Sequence, residues 1–304
     1  MVEHDDFDLP IVDAHHHLWD LDIGVYPSLN CGVTLPYRYG DYSAIQRNYL
    51  YEDYRRDSAK HNIIKSVHME AEWAPADPVA ETRWVSGYAE THDLTNALVG
   101  RAWLDRDDVE EVLAGHAAFD LTRSIRQKPA AADAPADFVP GAQGSMADAK
   151  FRDGYALLND HGLFFDLQTP WWHLGEAADL AGKFPDTQII LNHTGLPSDR
   201  SDRGLAGWRD AMQGLAQAPN VAVKISGIGV PGEAWTTDLN RGVVLDTIEA
   251  FGVDRCMFAS NFPFDSLCAT FDQIFSSYKE ITRDFSAQDR TKLFHDNAVR
   301  FYRL

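Results

Sequence analysis

The chain has 304 residues, 45% of them apolar and 12% aromatic, and a formal net charge of −19; that is enough apolar material for a large core, and the acidic surface repels nucleic acid and anionic membranes, leaving a small molecule as the expected partner and a homodimer as compatible. No run of about 18 apolar residues is present, so no membrane-spanning helix is expected, and the opening MVEHDDFDLP lacks the cationic and apolar regions of a secretory leader. Cys31, Cys256 and Cys268 show no C-x-x-C spacing, which argues against a disulfide framework or a thiolate zinc site and for a reducing, cytoplasmic setting.

In chain order, short apolar runs alternate with stretches of helical spacing. Pro10–Ala14 reads as a buried strand that runs into His15, His16 and His17. Side chains alternate along a strand, so His15 and His17 face the same side, and two imidazoles on one face at a strand end make half of a metal site. Leu21–Tyr49, rich in Tyr, Pro and Gly, is too long for a simple connection. Helix Tyr51–His61, strand Ile63–Ala71, helix Pro78–His92, strand Ala97–Leu104, helix Val109–Phe119 and strand Ser124–Gln127 follow. A second long loop, Lys128–Gly144, comes next, with six alanines, three prolines and two glycines that favour irregular backbone. Then come helix Met146–Asp160, strand Leu163–Thr169, helix Leu174–Phe184, strand Gln188–His193 and helix Leu205–Ala218. Strand Val221–Ser226, helix Asn240–Phe251, strand Cys256–Ala259, helix Leu267–Ile281 and a closing helix Ala287–Leu304 complete the chain.

Eight strands with crossover helices, and no Gly-rich phosphate loop, predict an α/β fold: a closed (β/α)8 TIM barrel rather than an open sheet. It is read as one domain over 1–304, with long βα loops after strands 1 and 4. In such a barrel the C-terminal strand ends converge on one pocket. Strand two ends in His68-Met-Glu-Ala-Glu72, which puts His68, Glu70 and Glu72 on one face. Strand four offers Arg126 or Gln127. Strand five ends in Asp166-Leu-Gln168, followed by Trp171, Trp172 and His173. Strand six runs into His193, strand seven into Lys224, and strand eight into Asn261 with Asp265 four residues on. Any one of these fits an ordinary solvated strand end. The set fits it less well, because apolar runs lead straight into His193 and Lys224.

The segments DAHHHLWD (13–20), SIRQ (124–127), ILNHTGLPSDRS (190–201), KISGIG (224–229), FASNFPFD (258–265) and HDNAVRFYRL (295–304) give the chain, over nearly its whole length, a resemblance to the amidohydrolase superfamily and its amidohydrolase-2 branch. Members share the barrel and include hydrolases of sugar-acid and aromatic-catabolite lactones. The resemblance implies that His15 and His17 ligate a divalent ion, zinc first, and that His193 ligates it too or polarises the substrate carbonyl. It further implies that Arg126 holds a carboxylate or hydroxyl of the substrate, with help from Arg200. The expected reaction is catabolic ring opening of a lactone by activated water, metal-assisted. Lys224, Trp172, His173 and Asn261 would join the two arginines around an anionic or polyhydroxylated substrate.

One position departs from the superfamily. Its strand-eight Asp, the base that takes the proton of the attacking water, is Asn261 here. An amide is no base and a poor ligand beside a carboxylate. The base then falls to Asp265, Glu70 or Glu72. Three alternatives stay open: a metal-free lactonase using histidines and arginines, a metal-dependent decarboxylase of an aromatic or unsaturated acid, and a catalytically silent ligand-binding relative.

Overall fold

The computed structural model describes residues 8–23, 25–30 and 37–304. Cys31, the other positions of 31–36, residue 24 and the first seven residues of the N-terminal segment lie outside them. Eight strands form one parallel sheet in sequence order: β1 (Ile11–His16), β2 (Ile63–Met69), β3 (Thr95–Arg101), β4 (Thr122–Gln127), β5 (Phe164–Leu167), β6 (Ile189–Leu191), β7 (Val221–Ile225) and β8 (Cys256–Phe258). A parallel bridge between His16 and Phe262 draws the two edge strands together, giving the expected (β/α)8 barrel.

One helix follows each strand: α1 (Tyr51–Ser58), α2 (Ala80–Ala89), α3 (Val109–Ala117), α4 (Ala149–Asp160), α5 (Leu174–Lys183), α6 (Asp202–Leu215), α7 (Thr237–Phe251) and α8 (Phe271–Ile281). The chain closes with α9 (Ala287–Thr291), a π-helical turn at Lys292–Asp296 and α10 (Asn297–Tyr302). Asp148, Ser201, Thr236 and Thr270 each accept a first-turn N–H and so fix where α4, α6, α7 and α8 begin. This explains why α6 and α7 start about one turn before the apolar spacing does: the cap, not the buried stripe, sets the boundary. No helix among the described residues is long and apolar enough to cross a membrane.

The strands divide their side chains between two cores. Outward residues such as Ile125, Phe165, Leu191 and Val223 pack under the helices. Inward residues Val12, Val67, Met69, Ala97, Val99, Ile190, Ala222 and Met257 fill the barrel lumen, joined from below by Ala298 and Tyr302 of α10. The floor of the barrel is thus closely packed, and most of the inward polar residues gather toward the other end. Of the two long βα loops, the second is tied down rather than left loose. Ala132 N–H donates to His173 Nε2 (2.9 Å), Trp172 Nε1 donates to Ala132 O (2.9 Å) and Gly141 N–H donates to Glu176 Oε1 (3.0 Å).

Candidate active site

At the C-terminal end of the strands, β1 breaks register between Asp13 and His16. His15 and His17 turn into the barrel with ring centroids 5.0 Å apart, while His16 turns outward onto Tyr54 of α1. The same-face placement of His15 and His17 is therefore as expected. The end of β8 is laced to β1: Ser260 N–H and Oγ donate to the two Asp13 oxygens (2.8 and 2.6 Å), Asn261 N–H to His15 O (2.8 Å) and His17 N–H to Phe262 O (2.7 Å). His193 stands beside His15, centroids 4.7 Å apart, with its Nδ1 on Ser226 Oγ at 2.9 Å. Its backbone is left-handed (φ 56), as is that of Asn261 (φ 55), a strained conformation that clusters at functional sites. Gly227 makes room for it: a Cβ there would stand 2.5 Å from His193 Nδ1, and the residue itself has φ +59.

These groups meet at a cavity of about 320 Å³. His17, Arg126, Gln168, His193 and Asn261 line it from the strand ends; Ser28, Tyr37, Arg38 and Tyr42 line it from the loop after β1. Burial first, and then the nearby cations Lys224, Arg126 and Arg38, hold His15, His17 and His193 well below the ordinary imidazole range, so all three are neutral at pH 7. Arg126 donates from Nε to Glu70 Oε1 (2.5 Å), from Nη2 to Glu70 O (2.7 Å) and from Nη1 to Gln168 Oε1 (3.3 Å).

The candidate bases separate clearly. Burial opposes charge on Glu70, but Arg126 and then Arg101 overrule it and hold the carboxyl below its usual range. Glu72 reaches the cavity wall, yet its contact with Lys128 pulls it down to about 2. Asp265 is fully buried behind the wall. Its Oδ1 accepts from Asn261 Nδ2 (2.6 Å) and Tyr39 Oη (3.0 Å), and burial raises its pKa. A carboxylate only accepts, so the Asn261 amide must turn its NH₂ to Asp265, which leaves Oδ1 as the group able to face the cavity.

Several expected site residues sit elsewhere. His68 does not share a face with Glu70: it points outward to Glu81 Oε1 (3.2 Å), because β2 ends at Met69 and strand alternation stops there. Lys224 lies beneath the site with no exposure, bound to Asp166 Oδ1 (2.6 Å), which also accepts from Tyr302 and Asn192. Trp172 and His173 anchor the 128–144 loop and are not among the residues lining the cavity. Arg200 lies off the main cavity, donating to Ile228 O (2.7 Å). Arg38 and the loop tyrosines were missed; the only signal for them was the tyrosine richness of the loop itself.

Whether these donors suit zinc can be tested on the pair itself. His15 Nε2 and His17 Nε2 are 3.2 Å apart, and two ligands on one tetrahedral zinc, at bond lengths of ~2.0–2.1 Å, would be about 3.3 Å apart. The pair fits two positions. Among the described residues no group of three or more His, Cys, Asp or Glu is arranged to hold an ion. Further positions would fall to water or substrate.

The sequence matches the model of the family described as Amidohydrolase over residues 12–304. It is 43% identical over 297 residues to the Sinorhizobium fredii protein y4mH, described as uncharacterized, covering 98% of this chain and 99% of that one. It is 27% identical over 307 residues to an L-fucono-1,5-lactonase of Burkholderia multivorans, covering 96% of each. A crystal structure of an amidohydrolase from Burkholderia multivorans with bound HEPES superposes with a TM-score of 0.78 at 25% identity, covering 97% of this chain and 99% of the other.

Proposed function

The chain belongs to the amidohydrolase family, and from that membership we propose that it hydrolyses a lactone, opening the ring of a small sugar-acid or aromatic-catabolite substrate. The observation that carries this reading is the convergence of neutral, buried His17 and His193 with Arg126 on one cavity. The lactonase among its relatives supports it.

Ring opening needs a held water, a proton acceptor and a donor for the carbonyl oxygen. Asn261 Oδ1 accepts from the water and orients it, with Asp265 holding the amide in that orientation. His193 Nε2 takes the proton. His17 Nε2 lies against His15 Nε2, whereas His193 pairs with Ser226 Oγ through Nδ1; in the Nδ1–H tautomer this reading assigns to it, Nε2 carries the lone pair for the cavity. A depressed pKa keeps that nitrogen unprotonated at neutral pH. Arg126, aimed by Glu70, donates to the oxygen that becomes negative as the water oxygen bonds to the acyl carbon. The ring C–O bond then breaks, and the alkoxide takes the proton back from His193 to give a hydroxy acid. A divalent ion, zinc first, would be held by His15 and His17 through Nε2 and would polarise the carbonyl and lower the pKa of bound water; none of the steps above depends on it.

Replacing His193 by Ala is expected to lower kcat for lactone opening by roughly 10²–10⁴, read as acid release in a pH-stat. A folded variant with near wild-type kcat would overturn the assignment.

A further inference from the structure

Arg38, Arg126 and Lys128 are the cations among the residues lining the main cavity. Two of them are committed to carboxylates: Arg126 closes on Glu70 and Lys128 on Glu72. Arg38 is held more loosely. It stops 3.6 Å short of Asp265 Oδ1, which already accepts from Asn261 (2.6 Å) and Tyr39 (3.0 Å). Its side chain is 26% exposed, against 4% for Arg126. A guanidinium carries five N–H donors and does not give up its proton.

The end of β7 sets where Arg38 stands. Its Nη1 donates to Gly227 O (3.0 Å), and the bare Gly227 backbone lets it crowd against His193: a Cβ there would be 2.7 Å from Arg38 Nη2 and 2.5 Å from His193 Nδ1. After burial, Arg38 is the strongest influence against charge on His193, ahead of Arg126. Arg126 rises from β4, three strands round the sheet. The two guanidinium groups therefore reach the cavity from separate sides, and Arg38 is the one that flanks His193.

That placement meets a demand the ring opening leaves open. The ring oxygen departs with the electron pair of the broken C–O bond and takes its proton from His193, so it stands beside His193 while negative charge grows on it. Arg126 serves the carbonyl oxygen instead. We propose that Arg38 is a catalytic residue for the leaving group: an N–H of its guanidinium donates to the ring oxygen as the C–O bond breaks and holds the alkoxide until the proton on His193 Nε2 reaches it. Arg38 keeps its own protons throughout, and the product is the hydroxy acid. The proposal rests on the lactonase reading and gives the first loop a part in the chemistry. A fixed donor aimed at developing charge lowers the barrier most where that charge is greatest, so Arg38 matters most for a strongly basic leaving group.

The test compares two lactones with the same bicyclic skeleton: dihydrocoumarin, which releases a phenol, and octahydrocoumarin, which releases the more basic alkoxide of an alkanol. kcat and KM are measured for the wild type and for Arg38→Met. The variant is expected to lose roughly 10²–10³ in kcat on octahydrocoumarin and at least about tenfold less on dihydrocoumarin, the difference being the scale of a charged hydrogen bond, with KM little changed for either. An equal fall on both lactones, or a loss confined to KM, overturns the proposal, because a structural or binding role does not follow leaving-group basicity. If Arg38→Met does not fold, Arg38→Gln is measured in the same way: a larger loss on octahydrocoumarin supports the role and an equal loss overturns it. A wild type that opens neither lactone defeats the lactonase reading and this role with it; a wild type that opens both, with their ratio unchanged in the variant, overturns the role alone.

Discussion

Glu70→Gln isolates what the buried Arg126–Glu70 pair contributes, since the amide keeps an acceptor oxygen and removes the charge. Both side chains are 4% exposed and the Nε–Oε1 separation is 2.5 Å. After the change Arg126 keeps only neutral acceptors, the main-chain oxygen of residue 70 and Gln168 Oε1, and Arg101, 4.0 Å from Oε2, loses its partner as well. Removing one partner of a buried ion pair costs about 3–5 kcal/mol. With an unfolding entropy of ~2.1 cal/mol/K per residue over 304 residues, Tm should fall by roughly 5–8 °C. Scanning calorimetry of Glu70→Gln, Arg126→Met and the double variant reads this directly. The double variant should recover a large part of the loss, because it leaves no orphaned charge. A Glu70→Gln protein melting within about 1 °C of the wild type, or strict additivity in the double variant, would refute the reasoning.

Asp265→Asn should lower kcat by about tenfold with the shape of the pH–rate profile kept, as expected of a residue that only positions Asn261; a loss of roughly 10²–10⁴ together with one limb of the profile would make Asp265 the base. Glu81, raised from 4.5 to about 8 by burial and then by Glu70, should show in stability. A folded pKa above the unfolded one means that its contribution is full below about 4.5 and is lost as pH rises through about 8. Urea midpoints should therefore fall for the wild type relative to Glu81→Gln between pH 5 and 8, and the opposite trend would contradict the assignment. Metal content by mass spectrometry should show about one zinc per chain in protein never exposed to chelator, and none in His17→Ala; equal content in both would place the ion elsewhere.

The barrel was legible because its signals are local. Most strands are apolar runs and each helix is a 3.6-residue stripe; His15 and His17 share a side as their i, i+2 spacing implies, although they face the barrel only because β1, whose Val12 and Ala14 fill the lumen, breaks register between Asp13 and His16. Legibility stops where alternation stops. Past Met69 the chain leaves the sheet, Glu72 takes φ 65, and no period says that Glu70 turns to Arg126 while His68 turns to α2. Lys224 read as a pocket residue because it ends an apolar run, but its register partner is Met257, a lumen residue, so it points into the barrel beneath the site. Trp172 and His173 are polar-tipped at a strand end, as substrate contacts would be; their hydrogen bonds to Ala132, 40 and 41 residues away, assign them to the loop. Arg38 reaches Gly227 across 189 residues, a contact set by how the long first loop folds back and by nothing near it in sequence.

The central claim is that water opens a lactone ring in the His17–His193–Arg126 cavity. The most direct measurement incubates the protein with a mixed pool of sugar-acid lactones, pyrones and aromatic acids and follows the pool by mass spectrometry beside His193→Ala. The expected result is a lactone that gains one water only with the wild type. Loss of carbon dioxide from an acid, or equal ring opening by both proteins, would contradict it.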